Sequence, residues 1–177
     1  FRLPCGNTLR VALERRPSFE LLQALQVRLL AQQCTIRSVD YASANTVLSA
    51  ASAPYQFSEN AQGFSAVHGP RRRLLIIGAS ELARYLAQIM LSLDYAITVC
   101  EPRTEYAINW DIAHTQLNTD MPDDVVNGFA CDVNTAVVAL SHDPKLDDLA
   151  LIEALATPAF YIGALGSQKN NLARKER

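Results

Sequence analysis

The stretch Leu74-Leu75-Ile76-Ile77-Gly78-Ala79-Ser80-Glu81-Leu82-Ala83 decides the fold. A short apolar strand feeds a glycine turn, and the turn opens a helix that runs to about Leu93. A second strand, Ala96-Ile97-Thr98-Val99-Cys100, ends on an acid, Glu101, 23 residues after Gly78. Strand, glycine turn, helix, strand and acid in this order are the layout of a dinucleotide-binding βαβ unit. Backbone N–H groups of the turn face a pyrophosphate there, and the acid meets a ribose hydroxyl. The fingerprint Gly-x-Gly-x-x-Gly/Ala reads Gly78-Ala79-Ser80-Glu81-Leu82-Ala83, so Ser80 replaces the middle glycine. Ala83 is permitted at the helix-packing position. Ser80 puts a side chain where the backbone approaches phosphate.

Downstream the alternation continues. A weak strand is expected around Ala113–Leu117, then a short helix from Asp123 to Phe129. Thr135-Ala136-Val137-Val138-Ala139-Leu140 reads as a buried strand, and Asp143-Pro144 opens a helix with Asp as N-cap and Pro at the first helical position. Phe160-Tyr161-Ile162 is the last strand; Gly163-Ala164-Leu165-Gly166-Ser167 and a helix start follow. Such alternation implies an α/β fold with a Rossmann-like, doubly wound parallel sheet.

Upstream, residues 1–69 read as a small α+β segment, and 70–177 as the nucleotide- or cofactor-binding domain, with Gly69-Pro70 as the boundary. Leu9, Val11 and Leu13 alternate with polar neighbours and predict a strand with one buried face. Leu21, Leu22, Leu25 and Leu29 recur at helical spacing, with Glu20 in the first turn. Strand-like pieces follow at Thr35–Tyr41, Thr46–Ala51, Tyr55–Phe57 and Phe64–His68. There is no internal repeat and no low-complexity tract.

Composition bounds the function. Apolar residues at 49%, charged residues at 19% and a formal net charge of −2 describe an ordinary globular protein with no basic footprint for nucleic acid. Arg71-Arg72-Arg73 reads as a solvated approach to the first parallel strand. No apolar run is long enough to span a bilayer. The four cysteines, Cys5, Cys34, Cys100 and Cys131, form no CxxC pair and fit reduced thiols of a cytoplasmic protein. A start at Phe1 and a stop in Leu172-Ala173-Arg174-Lys175-Glu176-Arg177 read as a fragment.

Ligands of open α/β sheets bind beyond the carboxyl ends of the strands. Those ends carry Gly78, Ala79 and Ser80; Glu101 and Arg103; Ser141, His142 and Asp143; and Gly163, Gly166 and Ser167. These supply the candidate cofactor-binding residues, and none is assigned as catalytic or as a metal ligand. Glu101 suits a 2′-hydroxyl and Arg103 a phosphate, or the two form a surface ion pair. His142-Asp143 is either an acid/base pair over the crevice or a backbone-bonded histidine beside a helix cap. The Gly163–Lys169 turn is either an anion nest, with glycines at positive φ, or a plain connector. Asp147 and Asp148 read as a helix-dipole feature. Cys5-Gly6 places a thiol in a turn.

These pieces, in this order, resemble the xanthine dehydrogenase accessory protein (XdhC/CoxI) family. Leu74–Ala83 matches its LLIxGAGxxA-like turn, and Thr98-Val99-Cys100-Glu101-Pro102-Arg103 its TVxDPR stretch. Ala136–Asp147 is similar to VVxxTHDxxxD, Tyr161–Lys169 to YIGxLGSxxK, and Leu3–Glu14, with Cys5-Gly6-Asn7, to CGGxxxVxxE. Departures are Ser80 and Asn7 for glycines and Glu101 for aspartate. The family's N-terminal Gly-Cys motif and C-terminal Pro-x-Gly-Leu stretch are missing from the pattern. The resemblance implies an accessory protein that binds molybdenum cofactor, a pyranopterin phosphate. It also implies help with sulfuration and with insertion into a molybdenum hydroxylase such as xanthine dehydrogenase. A cysteine desulfurase and a second copy of the chain are further partners to weigh; nucleic acid and membrane are not expected. Read without the resemblance, the residues leave an NAD(P)-binding oxidoreductase or sensor open, and also a ligand-free scaffold.

Overall fold

The computed structural model describes residues 4–9, 11–51 and 57–176. The chain divides into two compact units, Phe1–Pro70 and Arg71–Arg177.

The first unit holds one helix, α1 (Phe19–Leu30), and strands β1 (Thr35–Asp40), β2 (Thr46–Ala50), β3 (Phe57–Glu59) and β4 (Gly63–His68). Ser18 caps α1, its Oγ accepting from the Leu21 N–H at 3.4 Å, with Glu20 in the first turn and Arg28 in the last. The sheet is antiparallel in the order β2-β1-β4-β3, with Thr35 opposite both Ala50 and His68. The strand expected over Leu9, Val11 and Leu13 does not form; these residues belong to no strand and Leu13 is 86% exposed. Alternation marks a face that could be buried, but among the described residues these three join no strand, and Thr8 beside them makes only an isolated bridge. Tyr55 of the expected Tyr55–Phe57 strand lies outside the described residues, as does Leu3 of the Leu3–Glu14 segment.

The second unit alternates as the sequence predicts. Its strands are β5 (Arg73–Ile77), β6 (Ala96–Cys100), β7 (Thr115–Asn118), β8 (Thr135–Ala139) and β9 (Tyr161–Ala164). Its helices are α2 (Glu81–Ser92), α3 (Thr104–Ala107), α4 (Pro122–Phe129), α5 (Pro144–Leu155) and α6 (Gln168–Glu176). All five strands are parallel, in the order β7-β6-β5-β8-β9. This is the doubly wound Rossmann arrangement, and β5 is its centre: Leu74, Leu75, Ile76 and Ile77 are all buried. Leu75 and Ile77 pack with Val125, Val126 and Leu151 of α4 and α5 on one face; Leu74 and Ile76 pack with Ala83 and Ala87 of α2 on the other. The chain leaves β5 toward β6 on one side and later returns to β8 on the other. The switch point therefore lies between the carboxyl ends of β5 and β8, where the fold opens a crevice.

The triple arginine is more than a solvated approach. Arg73 donates from Nη1 to the Phe129 carbonyl (2.9 Å) and from Nη2 to that of Ala130 (2.7 Å), and its guanidinium lies 4.7 Å from the Phe129 ring centroid. It ties β5 to the end of α4.

Candidate functional site

At the glycine turn Gly78 has φ +98°, and a Cβ there would lie 2.3 Å from the Ser141 Cα. Only glycine fits, because the turn of β5 presses against the end of β8. Ser80 caps α2, its Oγ accepting from the Ala83 N–H at 3.3 Å. The Ser80 side chain thus takes a donor of the first turn of α2 for itself.

Glu101 is fully buried and turned inward. Its Oε2 accepts from the Ala79 N–H (2.9 Å) and from Arg103 Nη2 (2.8 Å); Oε1 accepts from the Arg103 N–H (3.1 Å) and Nε (2.8 Å). Burial pushes its carboxyl pKa up, but the Arg103 and backbone hydrogen bonds outweigh this and hold it below the ordinary value. The pair is therefore not the surface ion pair that sequence alone allowed. Arg103 is fixed further by the Ser141 carbonyl (3.3 Å) and by the Tyr106 ring, 4.1 Å from its guanidinium carbon. In this arrangement the acid binds the turn, whereas the fingerprint would have it face a ribose.

Ser141 links this cluster to a second one. Its carbonyl accepts from Arg103, while its N–H (3.1 Å) and Oγ (2.6 Å) both donate to Asp147 Oδ1. Arg174 closes the chain from α6, with Nη2 3.3 Å from Asp147 Oδ2 and Nε 2.8 Å from Asp148 Oδ1. One polar network thus crosses the carboxyl ends of β6, β5 and β8 and reaches α6. Glu101, Ser141 and Asp147 in it are all buried. Buried polar groups persist when bonded in this way.

Beside the network lies a cavity of about 330 Å³, whose lining includes His142, Asp147, Gly166, Ser167, Asn170 and Arg174. His142 is exposed and held at φ +59°, a conformation that costs a non-glycine residue about 1–2 kcal/mol. Gln32, Ala44, Asp94, His114 and Ala130 share it among the described residues, so it does not by itself mark His142 as functional. Asp143 turns away to cap α5, its Oδ1 accepting from the Lys145 N–H at 2.9 Å. Ser167 Oγ accepts from the Asn170 N–H at 3.2 Å, at the start of α6.

Gly163 and Gly166 are not at positive φ, so the expected positive-φ nest does not form. Gly163 lies within β9, and Gly78 and Gly6 are the glycines at positive φ among the described residues. A Cβ at Gly163 would meet the Tyr161 hydroxyl (2.7 Å), and one at Gly166 the Asn171 Oδ1 (2.8 Å), ends of side chains that can move aside. The structure thus joins Gly78, Ala79, Ser80, Glu101 and Arg103 in one cluster and His142, Gly166 and Ser167 in another. Gly163 belongs to the sheet and Asp143 to a helix cap. Sequence reasoning missed Asn170 and Arg174, although Ser167, Asn170 or Asn171, and Arg174 recur at i, i+3/i+4, i+7 on one helix face. It also read Asp147 as a dipole feature, whereas it is the buried acceptor of Ser141.

All four cysteines are free, with Cys5 exposed in a turn. Burial, with Glu101, Asp120 and Asp123 nearby, pushes the Cys100 thiol up to about 12; burial likewise raises Cys131. Among the described residues no group of three or more His, Cys, Asp or Glu could hold a metal ion. Among them, too, no helix is long and apolar enough to cross a membrane.

Comparison with known proteins bears on the family and the fold. A sequence model described as the XdhC Rossmann domain matches residues 74–177. A crystal structure from Bacillus halodurans, described as a xanthine dehydrogenase, aligns with a TM-score of 0.70 at 17% identity, over 89% of this chain and 55% of that one. That likeness shows the fold, and this chain spans about half the length of that protein. A structure of chuY from E. coli CFT073 gives a TM-score of 0.41 at 13% identity, over 59% of this chain and 58% of that one. No curated protein matches the sequence. With its β5 glycine turn, five-stranded parallel sheet and β9–α6 end all inside the matched range, the chain belongs to the XdhC family through its Rossmann domain.

Proposed function

We propose that this chain serves an accessory protein that binds molybdenum cofactor and assists its sulfuration and insertion into xanthine dehydrogenase or a related molybdenum hydroxylase. The observation that carries the reading is the XdhC Rossmann match over residues 74–177. The cofactor is cargo here, a flat pyranopterin ending in a phosphate.

The donor set suits the phosphate end. The cavity is lined by His142, Ser167, Asn170 and Arg174, with the carboxylate of Asp147, already bonded to Ser141 and Arg174, among them. Arg174 is already oriented by Asp147 and Asp148, so it enters the site without losing side-chain freedom on binding. Ser141 and Asp147 hold the floor of the cavity in place from β8. On this reading the hydroxylase is the partner that receives the cargo, and a cysteine desulfurase is the partner that meets it during sulfuration.

The NAD(P) reading has less support. Ala79 N–H, a donor a pyrophosphate would use, is bonded to Glu101, and Ser80 caps the helix that would receive the phosphates. A reconstitution tests the proposal: a cofactor-free molybdenum hydroxylase is incubated with limiting cofactor, with and without the protein. The protein is expected to raise recovered activity, and Arg174→Ala to lower that gain severalfold. A gain no larger than that from an inert protein such as albumin would count against the accessory role.

A further inference from the structure

The first unit carries a second cavity, of about 860 Å³, on the face of its sheet that bears Phe57, Phe64 and Val39. Its floor is a row of aromatic rings. Phe57 and Phe64 stack with centroids 6.0 Å apart and planes 26° apart, and Tyr41 continues the row at 6.2 Å from Phe64. Phe57, on the edge strand β3, is nevertheless 69% exposed. One ring face at the end of a stack is thus left to water, where a further flat ring would extend the offset stacking.

The rim is charged in an uneven way. Each acid on the wall already has donors. Glu14 is paired with Arg37, Asp40 Oδ1 accepts from the Ser43 N–H (2.7 Å) and Oγ (2.6 Å), and Glu59 accepts from the Tyr41 hydroxyl (3.0 Å). Arg15 and Arg16 are exposed on the same cavity and enter no ion pair among the described residues. Two guanidinium groups that could hold a phosphate therefore line the same cavity as the exposed Phe57 ring.

We infer that this cavity binds a planar aromatic ring carrying a phosphate, the ring stacking on Phe57 and the phosphate meeting Arg15 and Arg16. None of its lining residues lines the Rossmann cavity. It combines an aromatic platform with a guanidinium clamp, so neither half of the ligand should bind well alone.

The probe is adenosine 5′-monophosphate, titrated calorimetrically into the full chain, with adenosine and inorganic phosphate in parallel. AMP is expected to saturate, and each half-ligand to bind at least tenfold more weakly. Phe57→Ser and the double variant Arg15→Ser/Arg16→Ser are each expected to weaken AMP at least tenfold. These side chains are exposed, so thermal unfolding should stay unchanged. Absence of saturation by AMP overturns the inference. So does equal affinity in both variants, or binding that is lost in Arg174→Ala, which would move the ligand to the Rossmann unit. A single-stranded RNA that binds through Phe57 where AMP does not would overturn it as well.

Discussion

Replacing Glu101 by glutamine should be the most informative single perturbation of the Rossmann unit. The change is nearly isosteric, so packing is kept while charge and two acceptor positions are altered. Each carboxylate oxygen accepts two bonds, Oε1 from the Arg103 N–H and Nε, Oε2 from the Ala79 N–H and Arg103 Nη2. A glutamine NH₂ at either position faces donors with a donor. Removing one partner of a buried ion pair costs about 3–5 kcal/mol. The Arg103 side chain keeps 24% of its exposure, so water recovers part of its charge and the lower end, about 3 kcal/mol, is expected. Trp110 is the only tryptophan, donates to Thr115 Oγ1 at 2.9 Å and lies in this unit, so its fluorescence in urea reports the unit by itself. The effect should also depend on pH. Because the Glu101 pKa is lowered in the folded state, its contribution is complete above the unfolded value of about 4.5. It disappears as the pH falls through the folded pKa, so wild type and Glu101→Gln should converge in acid. A loss below about 1 kcal/mol at neutral pH, or a difference that is the same at neutral and acid pH, would refute the inward-turned carboxylate.

Gly78→Ala should cost about 3 kcal/mol or more, summing a strained positive φ and an overpacked contact with Ser141, whose N–H is tied to Asp147 and cannot retreat; urea midpoints measure it. Ser80→Ala should cost about 1 kcal/mol as a lost N-cap and Ser80→Gly only a few tenths, and equal losses by the same assay would exclude capping. In thiol labelling of the native protein, Cys5 should react quickly while Cys100 and Cys131 react only on unfolding; rapid native labelling of Cys100 would contradict its burial and raised pKa.

Much of the second unit was legible because its signals are local. Four aliphatic residues before Gly78 can only be a buried strand in this setting, and Asp143-Pro144 carries a cap and a fixed φ in two residues. The first unit showed where reading stops: the alternation of Leu9, Val11 and Leu13 matched a strand in pattern, yet strands need partners that one segment cannot specify. The site was half legible. Strand ends located Glu101, Arg103, His142 and Ser167, but side-chain direction is a tertiary matter. Glu101 turns inward because Arg103, two residues on, and the Ala79 N–H together satisfy it better than water does. Arg174 was invisible because its partners, Asp147 and Asp148, lie a whole strand and loop away.

Native mass spectrometry of the protein purified from a host that makes molybdenum cofactor, with NAD added to a parallel sample, addresses the central claim most directly. The account predicts a co-purifying pterin mass that is reduced in Arg174→Ala, and no NAD adduct. An NAD adduct with no pterin mass would contradict it and return the glycine turn to a dinucleotide.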